Sequence, residues 1–356
     1  MLSKSFLASS FYHDPKVHHW DCNFYAKHFW HPLLALSQLK QGESIGCTLL
    51  SQRIIITWPI GDRPRAFLNR CPHRGVAFRA DSVSAKSCRR FVCPYHGWTY
   101  DLHGNLLAAA RESEFDDNFD RKRWNLYELP CRIDGPLIWA SLSECALRLD
   151  EQLYLIHDLT GNEWNTPLQM IHHSRRHISC NWKIAHDNTL DDYHVAIAHP
   201  KTLHREQGPV RNYVYRFSRY CNLLQTPFLG GGHFFTFGLP PWSHVLVWPD
   251  SRIALIEFLP DQPDCCVMQL RLFAKHDSID STSASKWLTH LLCFLEEDRM
   301  LVESAQHGYD SEFTPGPPHR LEQRILHWQE LYRQLFDSSE VTSALRSQEA
   351  ISEFNI

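Results

Sequence analysis

Two short runs set a thiol beside an imidazole: Cys71-Pro72-His73-Arg74-Gly75 and Cys93-Pro94-Tyr95-His96-Gly97-Trp98. Together Cys71, His73, Cys93 and His96 offer two thiolates and two imidazoles from two loops. That is the ligand set of a Rieske [2Fe-2S] centre, in which two histidines replace two cysteines on one of the irons. Zinc also accepts two cysteines and two histidines. A zinc finger pairs Cys with Cys and His with His, whereas each run here mixes the two types, and this favours the iron-sulfur reading. The chain is expected to carry electrons.

A second constellation follows in Asn181-Trp182-Lys183, Asp187-Asn188-Thr189-Leu190-Asp191-Asp192-Tyr193-His194 and His199-Pro200. Two histidines with one later carboxylate make the ligand set of a non-haem Fe(II) oxygenase, which leaves positions open for O2 and substrate. At helical spacing Asp187, Asp191 and His194 share one face. His194 and His199 diverge around a regular helix, so the helix is expected to bend or end between them. The carboxylate is sought in the run from Leu291 to Gln306. There Leu291, Phe294, Leu295, Leu301, Val302 and Ala305 form an apolar stripe with Asp298 in its middle. A buried carboxylate needs compensation, and either a metal or an ion pair to Lys or Arg supplies it. Glu297 competes with Asp298 for the role, while Glu296 and Glu303 fall nearer the solvent side.

These residues need elements to hold them. Residues up to about Ser37 read as helical, with Phe24, Phe29, Trp30 and Leu33 as packing groups. The pattern then turns strand-like at Thr48 to Leu50, Arg53 to Trp58, Phe91-Val92 and Trp98 to Asp101, with a turn at His103-Gly104-Asn105. Short strands carrying ligands on their loops make a small β domain that closes near Ile138 to Leu142. Farther on, His244 to Trp248, Arg252 to Phe258 and Val267 to Phe273 read as antiparallel strands, to be covered by the Asp298 helix. The resulting division is 1–37, an N-terminal helical segment; 38–143, the cluster domain; and 144–356, the catalytic domain. Gly230-Gly231-Gly232 lacks the context of a phosphate loop and reads as a flexible loop over a pocket lined by Phe234, Phe235, Phe237 and Trp242.

The 356 residues suffice for two cores, and the formal net charge of −4 gives no reason to invoke nucleic acid or an anionic membrane. No signal segment or long apolar span is visible, so a cytoplasmic location without membrane contact is expected. Of twelve cysteines only Cys71 and Cys93 have a ligand's context, and the rest read as free thiols in a reducing compartment.

With all three segments in view, the chain resembles the catalytic alpha subunit of the Rieske non-haem iron oxygenases, the aromatic ring-hydroxylating and related family. The resemblance runs from Arg65-Ala66-Phe67-Leu68-Asn69-Arg70 through both loops and the Asn181 to Pro200 segment to Glu297-Asp298, Gln306, Gly308, Ser311 and Pro315-Gly316. It implies an α+β fold, with a small all-β Rieske [2Fe-2S] domain and a helix-grip-like antiparallel-sheet catalytic domain. It implies that Cys71, His73, Cys93 and His96 bind the cluster, that His194, His199 and Asp298 bind mononuclear Fe(II), and that Asp191 bridges a cluster histidine of one subunit to an iron-bound histidine of its neighbour. Val76 and Tyr95 stand where cytochrome bc-type Rieske proteins carry a disulfide. The wording of the His194 segment and the Gln306 to Gly316 tail is similar to compact homotrimeric members, which include quaternary-amine monooxygenases. Trp248-Pro249-Asp250 departs from the family's usual Phe-Pro-Asn.

The activity so implied is O2 activation and hydroxylation of a small organic, aromatic substrate, with oxidative cleavage or demethylation of a quaternary ammonium compound as the alternative. Electrons would come from NAD(P)H through a separate reductase or ferredoxin, because the chain has no dinucleotide fingerprint of its own. Arg74, Arg79, Lys86, Arg89 and Arg90 lie around the cluster loops and could attract an acidic donor. Two rivals remain at this stage, a Rieske electron carrier without oxygenase activity and a zinc-stabilised interaction protein.

Overall fold

In the computed structural model the described residues are 5–338, except 83, 145–146, 229–230 and 276–279. Gly230 and the two ends of the chain therefore lie outside them. The N-terminal half builds three small antiparallel sheets. One has five strands in the order Lys86–Ser87, Glu43–Leu49, Gln52–Trp58, Arg65–Leu68, Glu128–Leu129. A second joins Arg90–Val92, Thr99–Asp101 and Leu106–Ala108. The alternating apolar run at Ile54, Ile55 and Ile56 explains the central strand: all three are fully buried, two toward one core and Ile55 toward the core beneath the cluster loops.

Expected helix gives way to strand before Ser37. The Pro15–His28 helix is real, with Asp14 capping it through the Lys16 amide, but His31–Ala35 is a strand paired with Leu137–Ala140. Burial decides this, because four of its five residues are buried, a near-continuous pattern that suits a strand covered on both faces.

The C-terminal half is built on a seven-stranded antiparallel sheet in the order Gln169–Ile178, Cys265–Ala274, Ile253–Gln262, Ser243–Val247, His233–Leu239, Asn222–Pro227, Val214–Phe217. The 29-residue helix Ser281–Tyr309 starts at Asp280, whose carboxylate accepts the Thr282 and Ser283 amides at 2.8 and 2.9 Å. Leu291, Phe294, Leu295 and Val302 are buried against the sheet as the stripe requires. Leu301, assigned to the same stripe, points outward at 46% exposure, one step too far around the helix.

The N-terminal helix is anchored to this half by a buried ion pair, Lys183 to Asp21, with Tyr332 and the Trp182 indole also donating to Asp21 at 2.6 and 3.1 Å. The expected α+β architecture is what the chain adopts. Among the described residues no helix is long and apolar enough to cross a membrane.

Candidate metal centres and their surroundings

The two cluster loops close in the same way. In the first, the Cys71 amide donates to the Val76 carbonyl and the Gly75 amide to the Cys71 carbonyl, both at 2.8 Å. In the second, Cys93 donates to Trp98 at 2.8 Å and Gly97 to Cys93 at 3.0 Å. Gly75 and Gly97 sit at φ +75° and +67°, which a side chain would strain, and this turns each histidine back toward its cysteine. Cys71 and Cys93 are buried and in contact, and burial pushes the Cys71 thiol up.

The imidazoles of His73 and His96 have ring centroids 4.5 Å apart, and His73 stacks on Trp98. The Nδ1 atom of each is buried without a hydrogen-bond partner. Two orphaned ring nitrogens beside two buried thiols fit a cluster that takes two sulfur and two nitrogen ligands.

The second centre assembles differently. The Trp182–Leu190 helix, capped by the Asn181 side chain, stops at Asp191, which is extended. The Asp191 carboxylate accepts the amides of Tyr193 and His194 at 2.7 and 3.3 Å, a local turn that competes with continuing the helix. Asp187, Asp191 and His194 therefore do not share a helix face. Asp187 points into the core, where Tyr12 and Gln329 donate to it at 2.6 and 2.9 Å and burial raises its carboxyl to about 7.

His194 and His199 flank a single helical turn, Val195–Ala198, and this brings their Nε2 atoms to 3.1 Å. The long helix delivers Asp298, whose Oδ1 lies 2.9 Å from His199 Nε2 and 3.3 Å from His194 Nε2 and also accepts from Asn188 at 2.7 Å. One donor atom from each of the three lies within 4.8 Å of the others.

The outer nitrogens of both rings face carboxylates, Asp191 at 3.3 Å from His194 Nδ1 and Glu297 at 2.7 Å from His199 Nδ1, with Thr202 donating to Glu297 at 2.8 Å. Glu297 thus stands behind His199 rather than beside Asp298. Burial opposes charge on His194, but Asp191 and Asp298 outweigh it and raise the ring to about 10; the same pairing holds Asp298 down at about 2. A divalent cation on these three atoms would displace the protons and meet the carboxylate in their place, so the donor set fits mononuclear iron.

A cavity of about 30 Å3 adjoins the triad, with Leu203, Phe237, Leu246 and Phe294 as apolar lining and Gln207 and His244 as polar lining. Of the four aromatics expected there only Phe237 borders it, and its ring turns to the other side of the sheet, stacked with Phe235. Phe234 and Trp242 are wholly buried in the core, and Phe235 packs on the opposite side of the sheet. The sequence also concealed two buried pairs. His244 Nε2 lies 2.8 Å from His186 Nδ1, burial keeps both rings uncharged, and His244 Nδ1 has no protein partner. Arg324 reaches Asp192 at 3.2 Å under the cavity, both buried. Nothing in their spacing marks them, since their partners come from distant strands and helices.

Comparison with known proteins agrees with this geometry. The Rieske [2Fe-2S] domain family matches residues 29–118, and the ring hydroxylating alpha subunit (catalytic domain) family matches residues 168–225. The carnitine monooxygenase oxygenase subunit of Acinetobacter pittii is 26% identical over 268 residues, covering 71% of each chain. Chloroplastic choline monooxygenase of Spinacia oleracea is 37% identical over 143 residues, 38% of this chain and 31% of its own.

Among solved structures, the quaternary ammonium Rieske monooxygenase CntA superposes with TM-score 0.83 at 23% identity, over 94% of this chain and 96% of its own. Naphthalene 1,2-dioxygenase from Rhodococcus sp. gives 0.77 at 18% identity, over 94% and 95%. With a Rieske domain followed by a ring-hydroxylating catalytic domain, the chain belongs to the Rieske non-haem iron oxygenases, as a catalytic alpha subunit whose cofactors are a [2Fe-2S] cluster and a mononuclear iron.

Proposed function

We propose that Cys71, His73, Cys93 and His96 hold the cluster, that His194, His199 and Asp298 hold the iron, and that the chain hydroxylates a small organic substrate beside that iron, where the adjoining cavity of about 30 Å3 must widen to admit it. The observation that carries this reading is the convergence of His194 Nε2, His199 Nε2 and Asp298 Oδ1 beside an apolar cavity. When bound, the cluster supplies single electrons and the iron supplies a site for O2 reduction.

The protein's own part is placement. Glu297 accepts the outer N–H of His199, and the Asp191 carboxylate stands 3.3 Å from the outer nitrogen of His194 as an ion-pair partner, which directs both Nε2 atoms inward. Leu203, Leu246 and Phe294 keep water from the cavity wall, and His244 presents a neutral nitrogen to a polar group of the substrate.

The domain division we propose keeps the boundary near 143 and moves the first from 37 to about 30, because His31–Ala35 pairs with Leu137–Ala140 of the β domain. We propose a homotrimer in which Asp191 lies at the contact with a neighbouring copy. Supporting it, Tyr193, Ile197, Met300 and Leu301 are exposed apolar groups on the elements that carry the iron ligands. A separate reductase or ferredoxin would dock at the cluster loops, where Arg74, Lys86, Arg89, Arg90 and Tyr95 are exposed.

A second reading, oxidation of a quaternary ammonium compound, is favoured by the carnitine- and choline-oxidising relatives. Phe294 could face such a cation. The test is substrate-dependent O2 uptake by the reduced enzyme against a panel of aromatic acids and betaines. Stimulation by aromatic acids alone supports the first reading and by betaines alone the second; product formation without mononuclear iron would refute both.

A further inference from the structure

Three strand ends of the catalytic sheet meet in a group of side chains that neither iron centre uses. His177 lies near the end of the edge strand Gln169–Ile178, Asp261 near the end of Ile253–Gln262, and Cys265 opens Cys265–Ala274. The ladder sets them together: Gln262 pairs with Cys265 across the hairpin turn, and His177 pairs with Val267 on the neighbouring strand. His177 Nδ1 is 3.7 Å from Asp261 Oδ2 and 3.9 Å from Cys265 Sγ, and one donor atom of each of the three lies within 4.8 Å of the others.

The turn that carries two of them is pinned to the start of the Trp182–Leu190 helix. The Asn181 side-chain amide donates to the Pro263 carbonyl at 2.6 Å, while the Asn181 backbone amide is held by Gln306 at 2.6 Å. Donors on strands whose ladder and turn are both held need little reordering to take a ligand.

Another His-carboxylate trio, Asp134, Asp150 and His157, shows what a saturated group looks like. There Asp134 accepts the Trp164 indole N–H at 2.6 Å, and Asp150 faces Arg132 and Arg148 at 3.7 and 3.4 Å. At Asp261, by contrast, no Lys or Arg ion pair occurs among the described residues; the carboxylate faces the His177 imidazole. A thiol, an imidazole and a carboxylate are the three side-chain types zinc takes, and three protein ligands leave a fourth tetrahedral position for water.

We propose that His177, Asp261 and Cys265 form a surface site for Zn2+, separate from the two iron centres. The order of divalent affinities at such donors places zinc above ferrous iron, so the enzyme's own metal does not fill it. On binding, the Cys265 S–H bond breaks, a sulfur–zinc bond forms and the proton passes to solvent. Bound zinc ties the hairpin turn to the edge strand across an otherwise solvent-exposed sheet end.

The test loads the iron-replete holoenzyme with micromolar Zn2+, removes excess by gel filtration and measures zinc and iron by elemental analysis. H177A, D261N and C265S are treated in parallel, and the visible absorption of each verifies that the protein is intact. The expected result is about one zinc per chain in the wild type, proton release on loading, unchanged iron, and loss of that zinc in H177A and C265S. Zinc uptake that is nil in the wild type, equal in the variants, or matched by an equal loss of iron overturns the proposal.

Discussion

The two metal regions of this chain are built on opposite plans. In the cluster loops each cysteine is two or three residues from its histidine, the loop closes on itself through two backbone hydrogen bonds, and the imidazoles proposed as ligands have no protein partner on Nδ1. At the proposed iron triad the third donor arrives on a helix far along the chain, and each imidazole is faced from behind by a carboxylate, Asp191 or Glu297. A self-contained loop needs only its own geometry and a glycine at positive φ. A site assembled from separate elements needs outer partners to aim its ligands, so its performance is spread over more residues.

Substituting a ligand in each region is the strongest challenge to that contrast. Cys71→Ser should abolish the visible absorption and lower iron from about three to about one per chain, with the triad still occupied. Asp298→Ala should do the reverse, losing turnover and about one iron while the cluster spectrum is unchanged. A single variant that emptied both centres would show that the two are not independently built.

Asp191→Asn keeps the size and removes the charge. Both metals should remain, while reoxidation of the reduced cluster on adding substrate and O2 slows by more than about 100-fold, because the same carboxylate would serve His194 and the path from a neighbouring subunit. A wild-type rate would reduce Asp191 to the turn-forming residue its backbone contacts already make it. Glu297→Gln is milder. With Thr202 and His199 still able to bond the amide, iron affinity or activity should fall by about 10- to 100-fold, measured as the iron concentration needed to restore turnover.

Protons probe a third set of imidazoles, those with no metal to hold. Burial lowers His31 to about 4 and His186 to about 3, from an ordinary value of 6.5. Below 6.5 the unfolded chain takes up protons that the folded chain refuses, so stability falls as pH drops through this window, by about 3 kcal/mol for His31 when complete. His31→Gln can still donate to the Tyr25 carbonyl and should flatten the decline of the thermal midpoint between pH 6.5 and 4. An unchanged slope would show that other groups govern acid sensitivity.

Much of this was legible in the chain itself. Cys71, His73, Cys93 and His96 could be read because ligands within one loop are constrained by covalent spacing alone, and the Ile54 to Ile56 and Val267 to Phe273 strands because their β-branched and aromatic content has a period the sheet imposes. Asp298 could be read because a carboxylate in an apolar helical stripe demands a partner.

Other features required the folded molecule. The strand Gln169–Ile178 went unread because it is an edge strand rich in His and Arg, whose exposed face carries no apolar alternation. The helix end at Asp191 was set by a side-chain turn that periodicity does not register, and it moved Asp187 away from the site altogether. The division of labour between Asp298 and Glu297, adjacent on one helix, was decided only by where His199 and Thr202 lie across the interface. The sequence by itself therefore determined which chemistries the chain could hold, since donor types and local spacing are properties of the covalent chain. The tertiary structure alone decided which nitrogen faces which carboxylate and which aromatics line the cavity, because those depend on distances between elements that no local pattern encodes.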